Sequence, residues 1–157
     1  MRVLMLIVAA LLVSGTTVPA VAGPLEDGGA AYMKGDYATA LPLLWPLAEH
    51  GDARAQHWLG LMYEQGRGLP QDFAEAASWH RKAAEQGVAD AQFNLGLMCE
   101  TGQGVPQDVV QAHLWFNLAA AQDASGAADA RDKIATKMTP AQIAEAQRLA
   151  RDWRPKR

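Results

Sequence analysis

Four histidines, one cysteine and a spread of carboxylates are the side chains in this sequence with the means to do chemistry. A metal site needs ligands that converge. His50, His57, His80 and His113 fall on different predicted helices, with no His-x-x-x-His pair and no Cys-x-x-Cys. A hydrolase needs a nucleophile beside a base. Ser78 precedes Trp79-His80, but helix neighbours point about 100° apart and form no dyad. Glu64 and Glu100 stand in equivalent places of an internal repeat, which reads as repeat structure rather than an acid/base pair. Gly66-x-Gly68 and Gly102-x-Gly104 follow helices and lack Lys-Ser/Thr, so they are turns and not phosphate loops. Cys99 can form no internal disulfide. It lies in an apolar stripe where the sister repeat has Tyr63, and it reads as a small buried hydrophobe with no activating neighbour. No catalytic residue, metal or cofactor is expected, so the chain is not read as an enzyme.

The elements that carry these side chains repeat at an offset of 36 residues. Leu59-Gly60-Leu61-Met62 returns as Leu95-Gly96-Leu97-Met98. Gly66-x-Gly68-x-Pro70-Gln71-Asp72 returns as Gly102-x-Gly104-x-Pro106-Gln107-Asp108. Ala76-x-x-Trp79-x-x-x-Ala83-Ala84 returns as Ala112-x-x-Trp115-x-x-x-Ala119-Ala120, and half of the aligned positions are identical without a gap. A unit this short cannot bury its apolar face alone, so copies must stack into a solenoid. The expected fold is all-α: a right-handed α-solenoid of about four helical hairpins.

Within a unit, Ala55, Leu59 and Tyr63 are spaced by four on one face and predict a helix A over Ala53–Gln65. Gly66 ends it. Asp72 is the N-cap of a helix B over Phe73–Gln86, and Glu75 is expected to complete a capping box; Asp108 and Gln111 repeat the pattern. Phe73, Ala76, Trp79 and Ala83 face inward. Residues 25–51 form a divergent, tetratricopeptide-like hairpin, helix Leu25–Lys34 followed by helix Asp36–His50. In the second of these, Pro42 and Pro46 should kink or open the chain. Residues 53–87 and 89–123 are the two full repeats. Residues 125–154 form a C-terminal capping hairpin: helix Ser125–Lys137, then a last amphipathic helix opened by the capping box Thr139-Pro140-Ala141-Gln142 and marked by Ile143, Ala146, Gln147, Ala150 and Trp153.

Residues 1–22 read as a signal peptide. Arg2 supplies the positive end, Val3–Val13 the apolar run, and Ala20-Val21-Ala22 a small-x-small cleavage site before Gly23. The run is short for a membrane span, with an uncleaved anchor as the alternative. Cleavage leaves 135 residues, no membrane span and a periplasmic or secreted location. Charge is divided unevenly. Gly23–Asp123 has 5 Lys and Arg against 13 Asp and Glu, a net −8, whereas Ala124–Arg157 has 8 against 4, a net +4. The acidic body disfavours nucleic acid. The basic end, Arg148, Arg151, Arg154, Lys156 and Arg157, reads either as a solvated helix terminus or as a surface for cell-wall glycan or anionic lipid.

These residues together resemble the Sel1-like repeat family, relatives of the tetratricopeptide repeats. The family's spacing is met by Ala53, Ala55, Leu59, Gly60, Tyr63, Gly66, Gly68, Asp72, Ala76, Trp79, Ala83, Ala84 and Gly87. It is met again by Ala89, Ala91, Leu95, Gly96, Gly102, Gly104, Val105, Asp108, Ala112, Trp115, Ala119 and Ala120. The second copy departs at Cys99, in place of tyrosine, and at Asp123, in place of the closing glycine; Leu69 replaces valine in the first. The resemblance implies a protein-binding scaffold, and for exported bacterial members an adaptor in envelope signalling or assembly. It implies no catalytic residues.

In helical-hairpin solenoids the A helices usually line the concave face. The candidates there are Arg54, Trp58, Leu61, Met62 and Gln65 in the first repeat and Asp90, Asn94, Leu97, Met98 and Thr101 in the second. Trp58 stands out because its counterpart is Asn94. It is either a binding anchor or a packing residue against Tyr37 or Leu44 of the preceding hairpin. The expected partner is a protein or peptide. Neither its identity nor the oligomeric state follows from the sequence.

Overall fold

The turn chemistry of the repeat dictates the chain path. Gly66 and Gly102 take left-handed conformations, with φ of 63° and 74°, and stop their helices as a C-terminal glycine does. The side chains of Asp72 and Asp108 each accept two backbone N–H groups of the following helix at 2.9 and 3.0 Å. The reciprocal half of the expected capping boxes is not made, because the N–H of Asp72 already donates to the Tyr63 carbonyl and that of Asp108 to the Cys99 carbonyl. Gln71 and Gln107 donate to the carbonyls of Glu64 and Glu100, both at 2.8 Å, and tie each loop to the helix before it.

The computed structural model describes residues 22–157, so the expected signal peptide lies, apart from Ala22, outside the described residues. Those residues form eight helices and no strand: α1 (Pro24–Met33), α2 (Tyr37–Glu49), α3 (Ala53–Gln65), α4 (Phe73–Glu85), α5 (Ala89–Thr101), α6 (Val109–Ala120), α7 (Ala127–Ala135) and α8 (Pro140–Asp152). Helices α1/α2, α3/α4 and α5/α6 are hairpins, and α2 on α3 and α4 on α5 stack one hairpin on the next. The last two helices depart from the hairpin pattern, since α7 and α8 each pack on α6. α7 is shorter than expected, because Asp123 to Gly126 turn before it and it starts at Ala127. α8 opens with the full capping box of Thr139 and Gln142. α2 runs unbroken through Pro42 and Pro46. Both prolines and the Ala38 whose carbonyl loses a donor lie on the exposed side, where a carbonyl without an intrahelical donor is not buried.

Alanines at the packing positions let helices approach closely, and large side chains fill the layers between. Ala55, Ala76, Ala83, Ala91, Ala112 and Ala119 are fully buried, with Leu59, Leu95, Trp79 and Trp115 among them. A polar thread runs through this apolar interior. Gln56 donates to the Ala48 carbonyl at 3.1 Å and accepts from Gln86 at 2.8 Å; Gln92 donates to the Ala84 carbonyl at 3.2 Å and accepts from Gln122 at 2.9 Å. Each buried amide satisfies a helix-terminal carbonyl of the unit before it, so stacking and polar satisfaction are the same event. The signal was present in the sequence, where both glutamines recur at the repeat offset.

Candidate functional site

The A-helix face holds a cleft of about 220 Å³ between α3 and the start of α5, lined by Arg54, His57, Trp58, Val88 and Asp90. Helix geometry brings Arg54 and Trp58 to one wall at i, i+4, while Asp90, in the first turn of α5, forms the other. An indole, a guanidinium and a carboxylate thus line one cleft.

Trp58 is also a packing residue, set against the core cluster of the preceding hairpin that holds Tyr32 and Leu44. Its ring lies 4.8 Å from that of Tyr32 on α1, and it covers Gly29, where a Cβ would be 3.3 Å from the indole nitrogen. Arg54 reaches Glu26 of α1 at 3.4 Å, and Gln65 accepts from the Tyr32 hydroxyl at 2.8 Å. Three candidates of the first repeat therefore turn toward α1, and half-buried Trp58 keeps one edge on the cleft. In the second repeat Asp90 is exposed and Asn94 half-buried, and the Thr101 hydroxyl donates to the Leu97 carbonyl within its own helix. Met62 and Met98 do not belong to this face. Both are buried, Met62 completely, because the position after each Leu-Gly-Leu turns toward the preceding hairpin, Met98 against Ala76 and Ala77 of α4. Leu61 packs at the core margin and Leu97 is exposed.

Behind the cleft His57 meets His80, with ring centroids 5.3 Å apart. Their counterparts, Phe93 and Phe116, meet at 5.7 Å, so the histidines occupy aromatic slots. His80 is fully buried, and its Nε2–H donates to the Glu64 carboxylate at 3.1 Å, leaving Nδ1 bare against Gly60. Burial, reinforced by His80, pushes the His57 pKa from 6.5 down to about 4. His50 lies apart on the surface, bonded to the Pro46 carbonyl. Among the described residues no group of three or more His, Cys, Asp or Glu side chains is arranged to hold a metal. Ser78 is exposed while Trp79 and His80 are buried, so helix periodicity separates the hydroxyl from the imidazole. Cys99 is buried, and burial raises its thiol pKa, which disfavours the reactive thiolate.

The basic end is largely engaged. Arg148 pairs with Glu145 at 2.7 Å and Asp152 at 3.2 Å, and the Lys156 ammonium meets Glu85 at 2.6 Å. Arg154 donates to the carbonyls of Arg151 and Trp153. Sequence reasoning did not anticipate that residues after α8 strap back across the end of α4. The Lys156 N–H donates to the Glu85 carbonyl at 2.8 Å, and Trp153 and Pro155 lie over Gly87. Trp153 and Pro155 were its only sequence signals.

The family model described as Sel1 repeat matches residues 53–88 and 89–123. A solved structure of a protective antigen present in uropathogenic Escherichia coli strains, with an SLR fold, is 32% identical over 83% of this chain with a TM-score of 0.78; the chain spans 29% of that antigen's length. A Sel1 repeat protein from Oxalobacter formigenes is 32% identical over 69% of this chain and 97% of its own, with a TM-score of 0.58. No match is found among curated proteins.

Proposed function

Because the chain belongs to the Sel1 repeat family, whose members generally act as protein–protein interaction scaffolds, we propose that it is an exported adaptor that holds a partner protein or peptide on its A-helix face, in envelope signalling or assembly. The observation that carries this reading is the cleft lined by Arg54, Trp58 and Asp90. Arg54 and Asp90 are equivalent positions of the repeat with opposite charge, so the face changes sign across one unit. A tryptophan edge in a cleft with both signs of charge suits a peptide bearing an apolar anchor and ionic groups. Among the described residues no helix is long and apolar enough to cross a membrane.

The test is site-specific photo-cross-linking in the envelope fraction, with the reactive group placed at Arg54, Asp90 or Asn94 and, as controls on the exposed side of α4, at Ala74 or Ser78. The expected result is one product protein from the A-helix positions alone, weakened by Asp90→Lys. The same product from Ala74 and Ser78, or none from the cleft, sinks the reading. Export is checked by mass spectrometry of the chain recovered outside the cytoplasm, which should begin at Gly23.

A further inference from the structure

A second cleft, of about 440 Å³, lies at the other end of the molecule between α6, α7 and α8. It exists because α7 and α8 both lean on α6 and leave a gap between themselves. Its polar lining comes from three helices. His113 and Asn117 lie one turn apart on α6, Arg131 comes from α7, and Gln147 and Arg151 lie one turn apart on α8. Arg131 is held in place, with Nε bonded to Asp132 at 2.9 Å and Nη1 facing the Asn117 side-chain oxygen at 3.5 Å. Gln147 and Arg151 are exposed, and no hydrogen bond or ion pair among the described residues engages either side chain or the His113 ring. His113 is 3% exposed and its Nδ1 is buried without a hydrogen-bond partner, so a bound group would meet the part of the ring that lines the cleft.

The equivalent of His113 in the first repeat is Ala77, so the repeat pattern does not require this histidine. Burial, with Arg131 adding to it, depresses the His113 pKa and favours the neutral ring. The cleft then carries two guanidinium groups against the single carboxylate of Asp132, an excess of one positive charge. One negative charge balances it, whereas a phosphate dianion would overcompensate and face Asp132. The planar guanidinium fork matches a carboxylate. Ile143 and Ala135 offer an apolar wall to whatever bears it, and the volume suits a small ligand.

We propose that the α6–α7–α8 cleft binds a carboxylate monoanion, held by Arg151 and Arg131 with His113 and Gln147 as further hydrogen-bond partners and its apolar body against Ile143. The inference is independent of the partner cleft on the A-helix face. A chain-terminal carboxylate of a peptide and a small free acid share this chemistry.

The test titrates the protein with Ala-Ala-Leu bearing a free C-terminus, with the same tripeptide as its amide, and with 4-methylpentanoate, reading the His113 imidazole resonances and calorimetric affinity. At least one acid should shift His113 and bind, and the amide should not. Arg151→Gln should weaken binding about tenfold or more, as loss of a charge-assisted hydrogen bond does, while Arg157→Gln should leave it unchanged. Tighter binding of the tripeptide assigns a chain terminus; tighter binding of 4-methylpentanoate assigns a free acid. The Arg151 side chain holds nothing else among the described residues, so this variant should keep the wild-type circular dichroism. Equal binding of acid and amide, full affinity in Arg151→Gln, or no His113 shift with either acid up to ~10 mM overturns the proposal.

Discussion

The two full repeats share a backbone and differ in what fills it. α3 and α5 have the same length, their loops make matching hydrogen bonds, and Asp72 and Asp108 cap with identical distances. Yet where the second repeat stacks Phe93 on Phe116, the first stacks His57 on His80. Gly60 and Gly96 explain how. In each unit the helix-B ring lies directly on the helix-A glycine, and a Cβ there would come within 2.6 Å of the ring. The repeat specifies a flat ring over a bare backbone and leaves its polarity open. Chemistry can therefore change inside a unit without changing the fold.

The comparison can be broken first at the loops. Gly68 and Gly104 are equivalent, with φ of 73° and 69°, and each sits on the first residue of the preceding helix B, Tyr37 or Phe73. A Cβ on Gly104 would lie 2.0 Å from the Phe73 carbonyl oxygen, which is backbone and cannot yield. On Gly68 it would meet the Tyr37 Cβ at 2.8 Å and the flexible end of Met62 at 2.9 Å. Gly104→Ala should cost ~3 kcal/mol or more and Gly68→Ala ~1–2 kcal/mol, from overpacking added to a strained φ. Urea unfolding of the two variants measures this, and equal losses would mean that the loops seat alike.

Next comes pH, which separates the histidine pair from the phenylalanine pair. The folded pKa of His57 is depressed, so its contribution to stability is complete above about 6.5 and is lost as pH falls toward about 4. Over that window the fold should lose up to about 3 kcal/mol through this group, with His113, also depressed by burial, adding in the same direction. The double variant His57→Phe, His80→Phe should flatten most of this slope. Denaturation midpoints at pH 7 and pH 4.5 read it out; an unchanged slope would show that the pair is not the titrating element.

The smallest effect sharpens the comparison at the closing turns. Gly87 ends α4 with φ of 96°, its N–H donating to the Ala84 carbonyl and that of Val88 to the Ala83 carbonyl. Asp123 ends α6 in the same pattern with φ of 58°, as the one non-glycine residue among those described with a positive φ. Asp123→Gly should stabilise the protein by ~0.5–1 kcal/mol. A thermal midpoint that does not rise would mean that the aspartate carries an offsetting interaction.

The sequence alone determined what is local and what repeats. The helices of both full units, their glycine ends and aspartate caps, and the aromatic slots of His57 and His80 follow from spacing and turn chemistry, which act within a few residues. Tertiary structure decided what depends on contacts between distant segments. Met62 and Met98 share the A-helix surface in projection, yet the stacking of each repeat on the hairpin before it buries them. Trp58 meets the ring of Tyr32 on α1, a contact that only the stacking of α1 and α3 sets. The second half of the capping box was lost to a carbonyl nine residues upstream. The gap around His113 and the strap from Trp153 to Lys156 arise where the repeat stops. There α7 and α8 leave the repeat pattern, and packing on α6 sets where their polar side chains meet.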